Sequence, residues 1–161
     1  MSLSASGLRA RATVLRALRH TLDARGYLEC PTPVLVDQPG VESTLHALEA
    51  RGGWLRTSPE LALKRVVAAG LPRVYELGPC LRDDEHGPWH RREFLMLEWY
   101  RAGGTLSDLM DDVQALVDAA AAALGVPRPG PWTRVRVRDL FVDRLGVDPW
   151  TASPVEVSPH D

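Results

Sequence analysis

Apolar residues recur at Leu8, Ala12, Leu15, Leu18 and Leu22, a spacing that lays one stripe along a helix. Gly26 follows, placed to end that helix in a left-handed turn. From Tyr27 to Val36 the helical period is lost, and Pro31 and Pro33 intervene. Proline has no backbone donor, so this piece is predicted extended, at an edge or interface. Asp37 to Gly53 reads as loops and short strands. A second helix is predicted from Thr57-Ser58-Pro59-Glu60, where a hydroxyl can cap the first amides, proline fits the first turn, and a carboxylate suits the positive end of the dipole. Gly70 closes it. Two further runs, Arg73 to Leu81 and Glu93 to Tyr100, read as strands around a polar connection containing His86, Gly87, Pro88 and His90, and their closeness predicts an antiparallel pair. A third helix starts near Thr105, with Asp108 placed for a capping box. Its stripe is Leu106, Leu109, Met110, Val113, Leu116, Val117, Ala120 and Leu124. Past the Pro/Gly segment Val126 to Pro131, a short strand and helix, roughly Thr133 to Leu145, lead into a polar tail. No internal repeat is present.

Chemistry concentrates in Cys80 to Tyr100. Strand alternation puts Phe94, Met96, Glu98 and Tyr100 on one face and Leu95, Leu97 and Trp99 on the other. The second face is apolar and belongs in the core. By the same parity Glu76, Cys80 and Arg82 join the first face. One face of an antiparallel sheet ordinarily meets water, and that reading suffices for any single residue here. A solvent face seldom keeps Phe, Met and Tyr between its charges, however. As a set, an arginine can bind a phosphate through two aligned hydrogen bonds. A phenylalanine ring can stack on a base, and a carboxylate against a walled sheet can hold an ammonium group. A nucleotide and a small cationic molecule are the implied pair of ligands.

The bulk numbers leave room for this and exclude little else. The chain has 161 residues, 45% hydrophobic and 25% charged, with a formal net charge of −2. That is an ordinary globular balance for one core, with no charge excess pointing to nucleic acid or a membrane surface. Lys64 is the only lysine; arginine supplies every other basic side chain. Cys30 and Cys80 are too far apart for a local metal-ligand pair, and a disulfide framework is not expected. No segment reads as a signal peptide or a membrane span, so a soluble, cytoplasmic protein is expected.

The same residues resemble class II aminoacyl-tRNA synthetases. Arg82-Asp83-Asp84, a loop, and His90 to Phe94 look like motif 2, an Arg-x-Glu strand followed by a His-x-x-x-Phe strand. Thr57 to Arg65 (TSPELALKR) resembles the substrate-binding helix of the lysyl subgroup, and Phe94 to Tyr100 (FLMLEWY) its lysine-recognition strand. The first helix with Arg25 to Pro33 looks like motif 1, the family's dimer interface. The matches stand in family order and cover most of residues 8 to 148. Within the subgroup the chain is most similar to the elongation factor P lysyltransferases, which keep the catalytic domain without an anticodon-binding OB domain. Motif 1 begins within the first thirty residues, leaving no room for such a domain before it.

The resemblance implies an α+β fold, an antiparallel sheet flanked by helices, of which residues 1–161 would be the amino-terminal half of the catalytic domain, with motifs 1 and 2. It implies ATP-dependent activation of lysine or β-lysine as an adenylate, then transfer to a lysine of elongation factor P. Arg82 would act on the α-phosphate and the substrate carboxylate, Phe94 would stack on adenine, and His90 would lie near the outer phosphates. Asp84 would complete the ATP contacts. Ser58 and Glu60 would contact the substrate, Glu98 would pair with its ε-ammonium, and Tyr100 would line that pocket. ATP and Mg2+ are the implied cofactors; a homodimer through motif 1 is implied, and tRNA binding is not.

The sequence also departs from the family. Asp84 stands where the family has glutamate, and Arg91-Arg92 where it usually has Asn-Pro. After residue 104 only Gly125, Gly130 and Gly146 occur, so motif 3, a glycine-rich strand leading to a catalytic arginine, has no counterpart. The magnesium-binding carboxylates upstream of it have none either. The expectation is a truncated or split form that by itself shows no lysine-dependent pyrophosphate exchange. The alternatives are a fragment of a lysyl-tRNA synthetase, and a non-catalytic synthetase-like paralogue acting as a binding or regulatory module.

Overall fold

The helices begin and end where their caps dictate. In the computed structural model, which describes residues 4–40, 45–83 and 87–152, helix α1 spans Ala5–Ala24. The Ser4 side chain accepts from the Gly7 amide at 3.0 Å at its start, and Gly26 turns left-handed just past its end, at φ 79°. The chain then runs through β1 (Leu28–Glu29), β2 (Leu35–Val36), β3 (Glu49–Ala50) and β4 (Gly53–Leu55) into α2 (Glu60–Ala68). Strands β5 (Arg73–Leu81) and β6 (Glu93–Arg101) follow, then α3 (Leu106–Leu124). The predicted capping box forms at α3: Thr105 and Asp108 satisfy each other's amides, two of the donors that a helix start otherwise leaves without partners.

Two small sheets result, ordered β1-β5-β6 and β2-β4-β3. The predicted antiparallel pair is β5 with β6, in register from Arg73 opposite Arg101 to Leu81 opposite Glu93. The sheet is not wholly antiparallel, because β1 pairs with β5 in parallel, Leu28 opposite Val74 and Glu29 opposite Tyr75. Between them the chain passes through the second sheet and α2, a crossover long enough to return in the same direction.

Alternation along β5 and β6 separates two environments. Tyr75, Leu97 and Trp99 pack with Leu18, Leu22 and Tyr27 and with Leu116 of α3, forming the core beneath α1 and α3. Polar pins hold those helices. Asp112 of α3 is buried and accepts hydrogen bonds from Arg25 Nε at 2.5 Å and from the Tyr27 hydroxyl. Burial, reinforced by that carboxylate, pushes the Tyr27 hydroxyl up to about 12, so it stays a donor across the physiological range. Tyr75 donates to Asp23 Oδ1 at 2.9 Å. The opposite face of the sheet meets α2, whose Leu63 is fully buried, as is Val74 of β5.

The chain divides into two compact units, residues 1–128 and 129–161, with the boundary inside the Pro/Gly segment recognised in the sequence. In the second unit α4 (Val137–Leu145) ends at Gly146, φ 68°, and Arg138 Nε donates to Asp148 Oδ2 at 3.0 Å. The strand expected ahead of this helix does not form: Thr133 to Arg136 make no strand pairing among the described residues, and an extended segment without a ladder partner is not held as a strand.

Candidate nucleotide and amino acid binding site

The register settles which side chains share a face. Glu76 stands opposite Glu98, Cys80 opposite Phe94, Gly78 opposite Met96 and Val74 opposite Tyr100, as alternation predicts. Arg82 lies one residue past β5 and extends the ladder, its amide donating to the Arg92 carbonyl at 2.9 Å. Its guanidinium carbon sits 5.2 Å from the centre of the Phe94 ring, within cation–π range. Its Nε donates to the Thr57 carbonyl at 3.3 Å, which holds the guanidinium between the entry to α2 and the ring.

Farther along β6, the Tyr100 hydroxyl donates to Glu98 Oε1 at 2.6 Å. Burial first, then the Glu98 carboxylate, raises the Tyr100 phenol above its ordinary range, so it remains a protonated donor that fixes the carboxylate. Four steps along the strand separate Phe94 from Glu98, about 13 Å of rise. The face therefore carries a ring and a cation at one end and a hydrogen-bonded carboxylate at the other. That spread suits an extended ligand with a planar, phosphorylated end and a cationic end.

Helix α2 supplies a third side. The Ser58 hydroxyl accepts from the Glu60 amide, the first of the helix, at 3.3 Å, while Pro59 takes the N-cap position itself, where no side chain caps the helix. Glu60 pairs with Lys64 one turn on, and the Lys64 ammonium lies 6.0 Å from the centre of the Tyr100 ring. Glu60, Lys64, Tyr100 and Glu98 thus form one contiguous group. Ser58 and Glu60 also line a cleft of about 730 Å³ between α2 and residues 32–40, to which Arg82, Phe94, Glu98 and Tyr100 do not contribute.

The remaining predicted positions fall elsewhere. His90 is exposed on the connection between β5 and β6, its amide donating to the Gly87 carbonyl at 3.4 Å. Asp84 lies outside the described residues. Arg92, one of the two arginines departing from the family pattern, pairs with Asp83 Oδ1 at 2.7 Å and ties the base of that connection.

The sequence reading missed what lies under this face. Glu76 shares the face, but its carboxylate is committed: Oε1 accepts from Arg56 Nη2 at 2.6 Å and Oε2 from the Thr32 hydroxyl at 2.7 Å and amide at 3.1 Å. Arg56 also donates to the Pro79 carbonyl at 2.9 Å and the Thr32 hydroxyl at 2.6 Å. Both charged side chains are buried, 2% and 6% exposed. A Cβ on Gly78 would lie 2.5 Å from both Arg56 and Glu76, so glycine here leaves the space the ion pair fills. That mid-strand Gly78-Pro79 was the available signal, since such residues mark close approach. Arg56 precedes Thr57, whose carbonyl receives Arg82, so the buried pair underpins the position of the surface arginine.

Among the described residues no three His, Cys, Asp or Glu side chains gather as metal ligands, and Cys30 and Cys80 are free thiols. No described helix is long and apolar enough to cross a membrane.

Comparison with known proteins identifies the family. The family described as tRNA synthetases class II (D, K and N) matches residues 3–144. An elongation factor P–(R)-β-lysine ligase of Vibrio cholerae is 37% identical over 156 residues, covering 91% of this chain and 46% of that protein. The Vibrio parahaemolyticus ligase of the same name is 34% identical over 160 residues, covering 93% and 48%. A lysine–tRNA ligase of Streptococcus thermophilus is 32% identical over 156 residues, covering 87% and 32%. The chain thus spans about half the length of the elongation factor P ligases it matches. With a family match running from the first helix to the last, the chain belongs to the class II tRNA synthetases of the D, K and N group.

Proposed function

We propose that this chain forms part of a ligase site in which ATP activates lysine or β-lysine as an aminoacyl-adenylate, for transfer to a lysine of elongation factor P. The observation carrying this reading is the Arg82–Phe94 contact at 5.2 Å on the strand pair that also presents the Glu98–Tyr100 pair. In this reading Phe94 stacks on adenine, and Arg82 neutralises charge on the α-phosphate while orienting the attacking substrate carboxylate. Glu98, held by Tyr100, receives the side-chain ammonium. Glu60 takes the other amino group, and Ser58 contacts the substrate from the entry to α2. His90 would serve the outer phosphates from the connection between the strands, and Asp84 would complete the ATP contacts. The rate enhancement comes from positioning and charge stabilisation, with no covalent enzyme nucleophile.

The relatives support the substrate class, since both kinds are lysine or β-lysine ligases. The streptococcal likeness supports a second reading, lysine–tRNA ligation, which uses the same adenylate and differs in the acceptor. The family likeness implies magnesium, but the described residues offer no ligand cluster for it. Pairing of two copies through α1 together with Arg25 to Pro33, in the cytoplasm, completes the proposal.

The test is titration of the chain with a non-hydrolysable lysyl-adenylate analogue, followed by tryptophan fluorescence. Saturable binding at micromolar concentrations is expected, competed by ATP. Absence of binding at millimolar concentration would refute the reading.

A further inference from the structure

We propose that Lys64 is a resident stand-in for the substrate ammonium: its side chain occupies the carboxylate-lined end of the pocket until a cationic ligand displaces it into solvent, and it thereby sets how strongly a cation must bind to enter. This rests on the proposed function of the same site.

Two elements converge on this one ammonium. From its own helix, Glu60 pairs with it. From β6, the Tyr100 ring lies 6.0 Å away, and that residue's hydroxyl is bonded to Glu98. An ordinary helix pair spaced by four residues accounts for the Glu60 contact, but not for the approach to an aromatic ring on the neighbouring sheet. The charge of Glu98 also reaches Lys64, adding to that of Glu60 in favouring its protonated form.

The residue type fits the role. A lysine ends in a compact ammonium on a flexible stem, whereas a guanidinium is a rigid planar fork. A carboxylate and an aromatic face that attract one primary ammonium attract another. Lys64 is the only lysine in a chain otherwise using arginine, including at Arg65 beside it. Its side chain is 55% exposed, so a path to solvent is open. A lysine ligand brings two ammonium groups to Glu60 and Glu98, and Lys64 is then a third cation for two anions. Coulomb repulsion at such distances favours its departure.

The sign of one substitution tests this. Lys64→Met is expected to bind the lysyl-adenylate analogue about five- to tenfold more tightly, by loss of the competing cation, and with steeper salt dependence. Lys64→Arg is expected to bind no tighter than wild type. Incorporating lysine labelled with ¹³C at Cε yields a single side-chain resonance, which should move to its free-lysine position as unlabelled analogue saturates the site. Binding by the wild type with Lys64→Met equal or weaker, or with an unmoved resonance, overturns this inference alone. Failure of wild type and Lys64→Met alike to bind overturns the proposed function and this inference together.

Discussion

Glu76→Ala is expected to destabilise the unit formed by residues 1–128 by about 3–5 kcal/mol, because it strips the counter-charge from a buried guanidinium. Arg56 is 2% exposed, and water cannot replace what Glu76 supplies without opening the structure. Thr32 loses the acceptor for both its hydroxyl and its amide in the same step. For a unit of this size, that loss corresponds to a fall of about 10 °C or more in melting temperature. Urea denaturation followed by circular dichroism measures it. Gly78→Ala probes the same place from the other side, since its Cβ would stand 2.5 Å from both members of the pair. A loss below about 1 kcal/mol in Glu76→Ala, the range of exposed pairs, would show that the pair is not sealed from water.

Arg82→Ala is expected to do the converse, leaving the fold nearly unchanged while weakening the adenylate analogue by about 10- to 100-fold, the range of lost charge-assisted hydrogen bonds. Arg82 is half-buried, and its side chain donates to the Thr57 carbonyl at 3.3 Å and lies over the Phe94 ring. Arg82→Lys should recover only part of the affinity, because a single ammonium cannot reproduce a bidentate fork. Competition titration and thermal melting on the same samples separate the effects. A stability loss matching that of Glu76→Ala would assign Arg82 to the scaffold instead.

The contrast between these residues marks what was legible in the sequence. Phe94, Glu98, Tyr100 and Arg82 were assigned to one face because alternation along a strand is local and needs no knowledge of topology. The helix ends were legible for the same reason, as Ser4, Gly26, Thr105 and Asp108 act within a turn of their own position. Arg56 was not, because its partner Glu76 is brought to it only when α2 packs on β5 and β6, and nothing nearby in the sequence announces the pairing. The parallel arrangement of β1 was hidden likewise, since strand direction depends on the path between strands and not on their composition. In the sequence Lys64 stands out only as the sole lysine; its place over Tyr100 depends on how α2 crosses β6. His90 was assigned from a motif, but it sits on a connection whose conformation alternation does not determine.

The central claim is that β5 and β6 present one pocket for an adenylate with a cationic tail. It is tested most directly by comparing lysyl- and norleucyl-adenylate analogues, which share one carbon chain but of which only the first carries the terminal ammonium, on the wild type and on Glu98→Gln. The wild type is expected to prefer the lysyl analogue by about tenfold or more, the worth of a hydrogen-bonded charge pair, and Glu98→Gln to bind the two almost equally while keeping its affinity for the norleucyl form. A preference that survives in Glu98→Gln would contradict the account.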